Sequence, residues 1–166
     1  MFGRTEIAGS EDRRTLEYFA ERSCSRQWRD FLMAMLAEFR EIASESELER
    51  LLTSVGARWA RLQPLPPCHS LEDLQAALNA LWGRIDWGWV GLEETGRFLK
   101  VTHGGLPAID AEGSAARALL PPVLQGAYTH WLASQGGDPA FQARCVSAEA
   151  LPVGPVVLHY GRHASP

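Results

Sequence analysis

Acyl transfer, glycoside cleavage and metal chemistry each require particular side chains at particular spacings, and this chain carries the side chains without the spacings. A nucleophile must sit beside a base that a third group orients. None of the serines lies in a G-x-S-x-G turn. Cys68 and His69 are neighbours in a proline-rich stretch, where adjacent side chains on an extended backbone point apart. Glycosidases place two carboxylates across a cleft. Glu93 and Glu94 are consecutive on a predicted strand, so they face opposite ways, and one is expected to pair with a surface arginine. The histidines (69, 103, 130, 159 and 163) match neither H-E-x-x-H nor any Cys-His zinc module. His130, amid the apolar residues of the last predicted helix, reads as a packed core or interface histidine. The glycines at 104–105 and 136–137 read as turns, not as phosphate cradles. The expectation is a protein with no catalytic residue, no cofactor and no metal ligand.

Aromatic residues are the remaining chemical resource, with six tryptophans. Trp28, Trp59, Trp82 and Trp131 fall on helical apolar stripes, where core packing is the default. Trp87 and Trp89 alternate with Gly88 and so are expected on one face of a strand, as a ligand platform, a subunit contact or the sheet's packing face. The core or interface reading is preferred, and it predicts that Trp89→Ala costs about 3–5 kcal/mol or dissociates subunits.

The elements that must hold these residues follow from periodicity. Ser10 is placed to cap a first helix through Leu16 and Phe19, with Glu11 and Asp12 in its first turn. Trp28, Phe31, Leu32, Met35, Leu36 and Phe39 recur at helical spacing, with Ser23-Cys24-Ser25 as a weak interruption before them. A capping box at Ser46 and Glu49 opens a third helix that contains Gly56, a small residue suited to close helix packing. Pro64-Leu-Pro-Pro67 stops that helix. Ser70 and Asp73 open a fourth helix, which breaks at Gly83. The period then becomes two: strands over 87–92 and 98–103 turn at Glu94-Thr-Gly96. After a loop over 104–115, a last helix runs from about Pro121 to Ser134, with prolines in its first turn and Gly136-Gly137 closing it. Strands over 141–147 and 153–160 end the chain. The order predicts an α+β fold, N-terminal amphipathic helices on a small antiparallel sheet made of two hairpins separated by a helix.

Bulk properties fit one domain of 166 residues, 46% hydrophobic and 22% charged, without repeats or low-complexity runs. A net charge of −4 excludes a general nucleic-acid binder. Lys100 is the single lysine, and arginine alternates with acid over 11–61, which describes solvated helix faces. Three cysteines (Cys24, Cys68, Cys145) cannot all pair within the chain and fit reduced thiols. The N-terminus holds no apolar export segment, so the expected location is cytoplasmic.

Taken in order, several motifs resemble the bacterial cellulose synthase D-subunit family. They are Pro66-Pro67-Cys68, Leu74-x-x-x-Leu78-Asn79-Ala80-Leu81, and Trp87-Gly88-Trp89-Val90-Gly91-Leu92-Glu93. Val101-Thr102-His103, Leu106-Pro107 and Val156-Val-Leu-His-Tyr160 are also similar. The strongest likeness lies in Pro122-Val-Leu124-Gln-Gly126-Ala-Tyr128-Thr-His-Trp131-Leu-Ala-Ser134-Gln135. The resemblance divides the chain into a variable segment 1–17, a single domain 18–162 and a tail 163–166. Asp86 stands where the family pattern has glycine, Trp89 is bulkier than the usual residue, and the N-terminal segment is longer and more charged.

The resemblance implies a non-catalytic accessory subunit that orders glucan chains, as a homo-octamer built from four dimers. It implies a cellulose synthase complex and a proline-rich accessory protein as partners, and it implies passages for glucan lined by N-terminal segments, here Phe2, Arg4, Tyr18 and Phe19. Trp28, Phe31, Met35, Trp87 and Trp89 are the candidate oligomer contacts. The family is usually described as periplasmic; the absence of an export segment favours the cytoplasmic side of the inner-membrane complex. The order of elements also looks like the small-ligand domains of the 4-vinyl-reductase and haem-nitric-oxide type, in which a pocket between helices and sheet holds an apolar molecule.

Overall fold

The computed structural model describes residues 4–110, 114–148 and 153–163. Four helices, α1 (Arg4–Ser23), α2 (Arg26–Ile42), α3 (Glu45–Leu62) and α4 (Leu71–Arg84), precede a hairpin of β1 (Trp89–Glu94) and β2 (Leu99–Gly104). Helix α5 (Ser114–Ser134) leads to a second hairpin, β3 (Gln142–Ser147) and β4 (Val156–Gly161). The four strands form one antiparallel sheet in the order β1-β2-β4-β3. This is the expected α+β fold of two hairpins separated by a helix. Alternation sends Val90, Val101, His103, Leu158 and Tyr160 into the interior, and leaves Trp89, Glu93, Lys100, Thr102 and Arg144 on the other face.

Helix α5 is the centre of the molecule. It is apolar over most of its circumference, the pattern of a largely covered helix, and twelve of its residues are buried. Helix α3 lies directly on it at two glycines. A Cβ on Gly56 would stand 1.9 Å from the Val123 carbonyl oxygen, and one on Gly126 would stand 1.9 Å from that of Thr53. The two backbones therefore touch, as the position of Gly56 predicts.

Both outer edges of the sheet are closed by helix side chains at i, i+4 spacing. On α4, Gln75 Oε1 accepts from Leu92 N–H (2.7 Å), while Asn79 accepts from Val90 N–H (2.9 Å) and donates to Val90 C=O (2.8 Å). On α5, Gln125 Oε1 accepts from Cys145 N–H (2.7 Å) and Thr129 Oγ1 from Ala143 N–H (2.8 Å). One helical turn advances about 6 Å over four residues, and two strand residues advance nearly the same distance. A helix beside a strand can thus meet every second edge amide.

Several boundaries differ from expectation. Helix α1 already runs from Arg4, so Ser10 lies inside it; among residues 4–10 only Gly9 has poor helix propensity. A break at Ser23–Ser25 separates α1 from α2. The capping box is Ser44 with Glu47, two residues before the predicted pair, because Ser-x-x-Glu occurs twice in Ser44-Glu-Ser-Glu-Leu-Glu49 and the extended Ala43 selects the first. Helix α4 does not break at Gly83. It ends where Asp86 takes a left-handed conformation (φ +56°) and Trp87 N–H bonds back to Trp82 C=O, the closure usually given to glycine. Helix α5 begins at least seven residues before Pro121. Asp110 accepts from Ser114 Oγ and from the Ala115 and Ala116 amides, and burial of Ala115, Ala116 and Leu120 outweighs two missing proline N–H groups.

Candidate functional site

The interior between helices and sheet holds one chain of polar groups. Trp82 Nε1–H donates to Tyr128 Oη (3.0 Å), Tyr128 Oη is 2.7 Å from His103 Nδ1, and His103 Nε2 is 2.7 Å from the Trp87 carbonyl oxygen. A carbonyl only accepts, so Nε2 carries the proton and Nδ1 accepts from the Tyr128 hydroxyl. Every donor in the chain then has an acceptor, with His103 neutral. Burial drives the His103 pKa down to about 4 and pushes the Tyr128 phenol well above its ordinary value. Trp82, Trp131, Tyr128 and His103 are all fully buried and pack ring against ring. Together they fill the interior between α4, α5 and β2. Sequence reasoning singled out His130, which is only half-buried, and missed His103. The signal was available: His103 shares the inward parity of Val101 on a predicted strand.

The second feature is an apolar groove of about 740 Å³, formed by α2 on one side and α3, α5 and the segment after β2 on the others. Trp28, Leu32, Met35 and Phe39 line it from α2, Leu51, Val55 and Trp59 from α3, and Trp87, Pro107 and Ile109 from connecting segments. Helix α2 buries only Leu36 in the protomer. Trp28 is 59% exposed, and Phe31, 55% exposed, packs edge-on against it at 5.9 Å. The groove thus gathers Trp28, Met35 and Trp87, with Phe31 at its rim.

Trp89 does not join them. Strand β1 begins only at Trp89, and Gly88 precedes it in a left-handed conformation (φ +87°), so Trp87 and Trp89 do not share a face. Trp87 stacks on Trp82 (5.8 Å, 7°) at the core, whereas Trp89 lies on the open face of the sheet. The core assignment of Trp28 is likewise corrected: its helical stripe faces a groove, not a filled interior.

Of the N-terminal positions, Phe2 lies outside the described residues and Arg4 opens α1. Tyr18 and Phe19 are exposed and meet edge-on at 5.6 Å, with the Arg22 guanidinium 5.5 Å from the Tyr18 ring centre. Glu93 pairs with Lys100 (3.0 Å), its cross-strand partner, and not with an arginine. Cys24, Cys68 and Cys145 are free thiols. Among the described residues no three His, Cys, Asp or Glu side chains converge as metal ligands, and no helix is long and apolar enough to cross a membrane.

An antiparallel sheet with helices on one side, closed edges and a filled interior defines an α+β protein, with exposed apolar residues on α1 and α2 and, at Trp89, on the sheet. The chain belongs to the cellulose synthase D-subunit family, whose model matches residues 14–161. A cellulose synthase operon protein D of Komagataeibacter xylinus is 39% identical over 110 residues, covering 64% of this chain and 70% of that protein. A protein of the same name from Komagataeibacter sucrofermentans is 37% identical over the same shares. Membership ties the chain to cellulose synthesis.

Proposed function

We propose that this chain is a non-catalytic accessory subunit of bacterial cellulose synthesis, an oligomeric scaffold or channel that helps order glucan chains emerging from the synthase complex. The observation that carries the reading is the apolar surface of α2: Trp28 and Phe31 stand in solvent beside an open apolar groove, and contiguous exposed apolar surface marks a contact site. Copies meet through these helix faces, since both sheet edges are already satisfied by side chains. Closed symmetry is the usual outcome for identical subunits, and four dimers around glucan passages is the arrangement proposed, with Tyr18 and Phe19 facing the passages. The synthase complex and a proline-rich accessory protein are the proposed partners. Three free thiols suit the reducing cytoplasmic side of the inner membrane; recovery mainly with a periplasmic marker on fractionation would refute that placement. Native mass spectrometry of untagged protein tests the assembly. An octamer is expected, and a stable monomer across micromolar concentrations would remove the scaffold reading. In cells, deletion should impair cellulose yield or fibre order while synthase turnover in membranes persists.

A further inference from the structure

Among the described residues no helix covers one face of the sheet, and Trp89 lies flat upon it. A Cβ built on Gly104, the cross-strand partner of Trp89, would come within 2.5 Å of Cζ2, 2.6 Å of Cε2 and 2.9 Å of Nε1 of the indole. A Cβ on Gly105 would lie 3.6 Å from Cδ1, and one on Gly91 would lie 3.9 Å from Cζ3. Both ends of the ring system and its middle thus rest over glycine backbone. One indole face is covered and the other is open, in keeping with a side chain 52% exposed. Covering strand glycines with an aromatic ring stabilises a sheet, which explains the covered face. It does not explain why the largest apolar plane on this side of the sheet is left in water.

The surroundings point to an uncharged, hydroxyl-rich ligand. Thr102, Lys100 and Glu93 share the face, with His159 and Arg144 on the next strands. Glu93 and Lys100 neutralise each other at 3.0 Å while keeping free hydrogen-bonding positions. The Trp89 indole N–H, unlike those of Trp82 and Trp131, has no acceptor among the described residues. We propose that Trp89, held flat on Gly91, Gly104 and Gly105, is a stacking platform for a β-linked glucan chain that runs across the open face of the sheet. A β-1,4-linked glucan is a flat ribbon whose C–H faces are apolar and whose hydroxyls lie at its edges. It therefore matches an aromatic plane bordered by hydrogen-bonding side chains. The choice of glucan rests on the cellulose reading above; the site itself does not.

The test uses the full chain labelled with 5-fluorotryptophan and titrated with cellohexaose, with the coiled, α-linked maltohexaose as control. Cellohexaose should shift the Trp89 fluorine resonance, assigned by its loss in Trp89→Phe, and maltohexaose should not. Trp89→Ala should weaken cellohexaose binding about tenfold or more, the scale of one lost aromatic contact, with oligomeric state unchanged. Trp89→Phe should retain most of the affinity. Absence of a cellohexaose-induced shift at Trp89 would overturn the platform while leaving an octamer, and so the scaffold reading, intact. Dissociation of the oligomer by Trp89→Ala would also overturn it, by making Trp89 a subunit contact. Binding at Trp89 by a monomeric wild-type protein would uphold the platform and refute the scaffold.

Discussion

At the scale of single residues, the polar chain through His103 sets an acid limit on the fold. Neutral His103 accepts from Tyr128 through Nδ1 and donates to Trp87 C=O through Nε2. Protonation would turn Nδ1 into a donor and leave the Tyr128 hydroxyl proton without an acceptor. With the folded pKa near 4 and an ordinary value near 6.5, the unfolded chain takes up the proton first as pH falls. The contribution is complete above about pH 6.5, declines through the window down to about pH 4, and amounts to about 3 kcal/mol. Thermal unfolding followed from pH 7 to 4 should show this slope, and His103→Gln should flatten it although the variant is less stable throughout. Asp86 makes the opposite case, a residue whose replacement should help. It holds a left-handed conformation (φ +56°) at the end of α4, which costs any side chain energy that glycine avoids. Asp86→Gly should stabilise the protein by about 0.5–1 kcal/mol in chemical denaturation. Trp89 is half-exposed, so Trp89→Ala should cost well under the roughly 3 kcal/mol of a buried aromatic.

At the scale of elements, the closest constraint is the contact of α3 with α5. Gly56 and Gly126 each leave room only for a hydrogen against a carbonyl of the facing helix. A methyl group at either position must push two backbones apart, and backbone atoms cannot rotate away as a side chain would. Gly126→Ala should cost about 3 kcal/mol, measured as a lowered denaturation midpoint with an unchanged slope. The closed sheet edges give a second expectation. Edge-strand amides ordinarily exchange quickly with water, but Val90, Leu92, Ala143 and Cys145 donate to Asn79, Gln75, Thr129 and Gln125. Their hydrogen exchange should be as slow as that of the central strands. Asn79→Ala, which strands both the N–H and the C=O of Val90, should cost about 2 kcal/mol and speed exchange along β1.

At the scale of the whole molecule, the distribution of burial is uneven. Helix α5 buries twelve residues, whereas α2 buries Leu36 alone and leaves Trp28, Phe31 and Met33 in solvent. Under the proposed assembly through α2, charged substitutions there should leave the protomer folded and break the assembly. Trp28→Glu combined with Phe31→Glu should therefore preserve helical content by circular dichroism while lowering the mass seen by light scattering. Loss of the fold together with the assembly would instead mean that these residues belong to the protomer core.

The local elements were legible in the sequence because they rest on short-range chemistry. The i, i+3, i+4 recurrence of Trp28 to Phe39 gives α2, the Glu94-Thr-Gly96 turn gives the first hairpin, and Gly136-Gly137 closes α5. The ordered motifs gave the family in the same way, as did Gly56 its helix contact. Periodicity identifies an apolar face without saying what covers it, so Trp28 on an exposed groove and Trp82 in the core carry the same local signal. Alternation likewise put Trp87 and Trp89 together, and one left-handed glycine at 88 separated them. The His103–Tyr128–Trp82 chain joins β2, α5 and α4 across gaps of 25 and 46 residues. Only the packing of α4 and α5 against the sheet brings those donors and acceptors within hydrogen-bond distance, because no spacing along a chain encodes a contact between elements whose relative position the core decides.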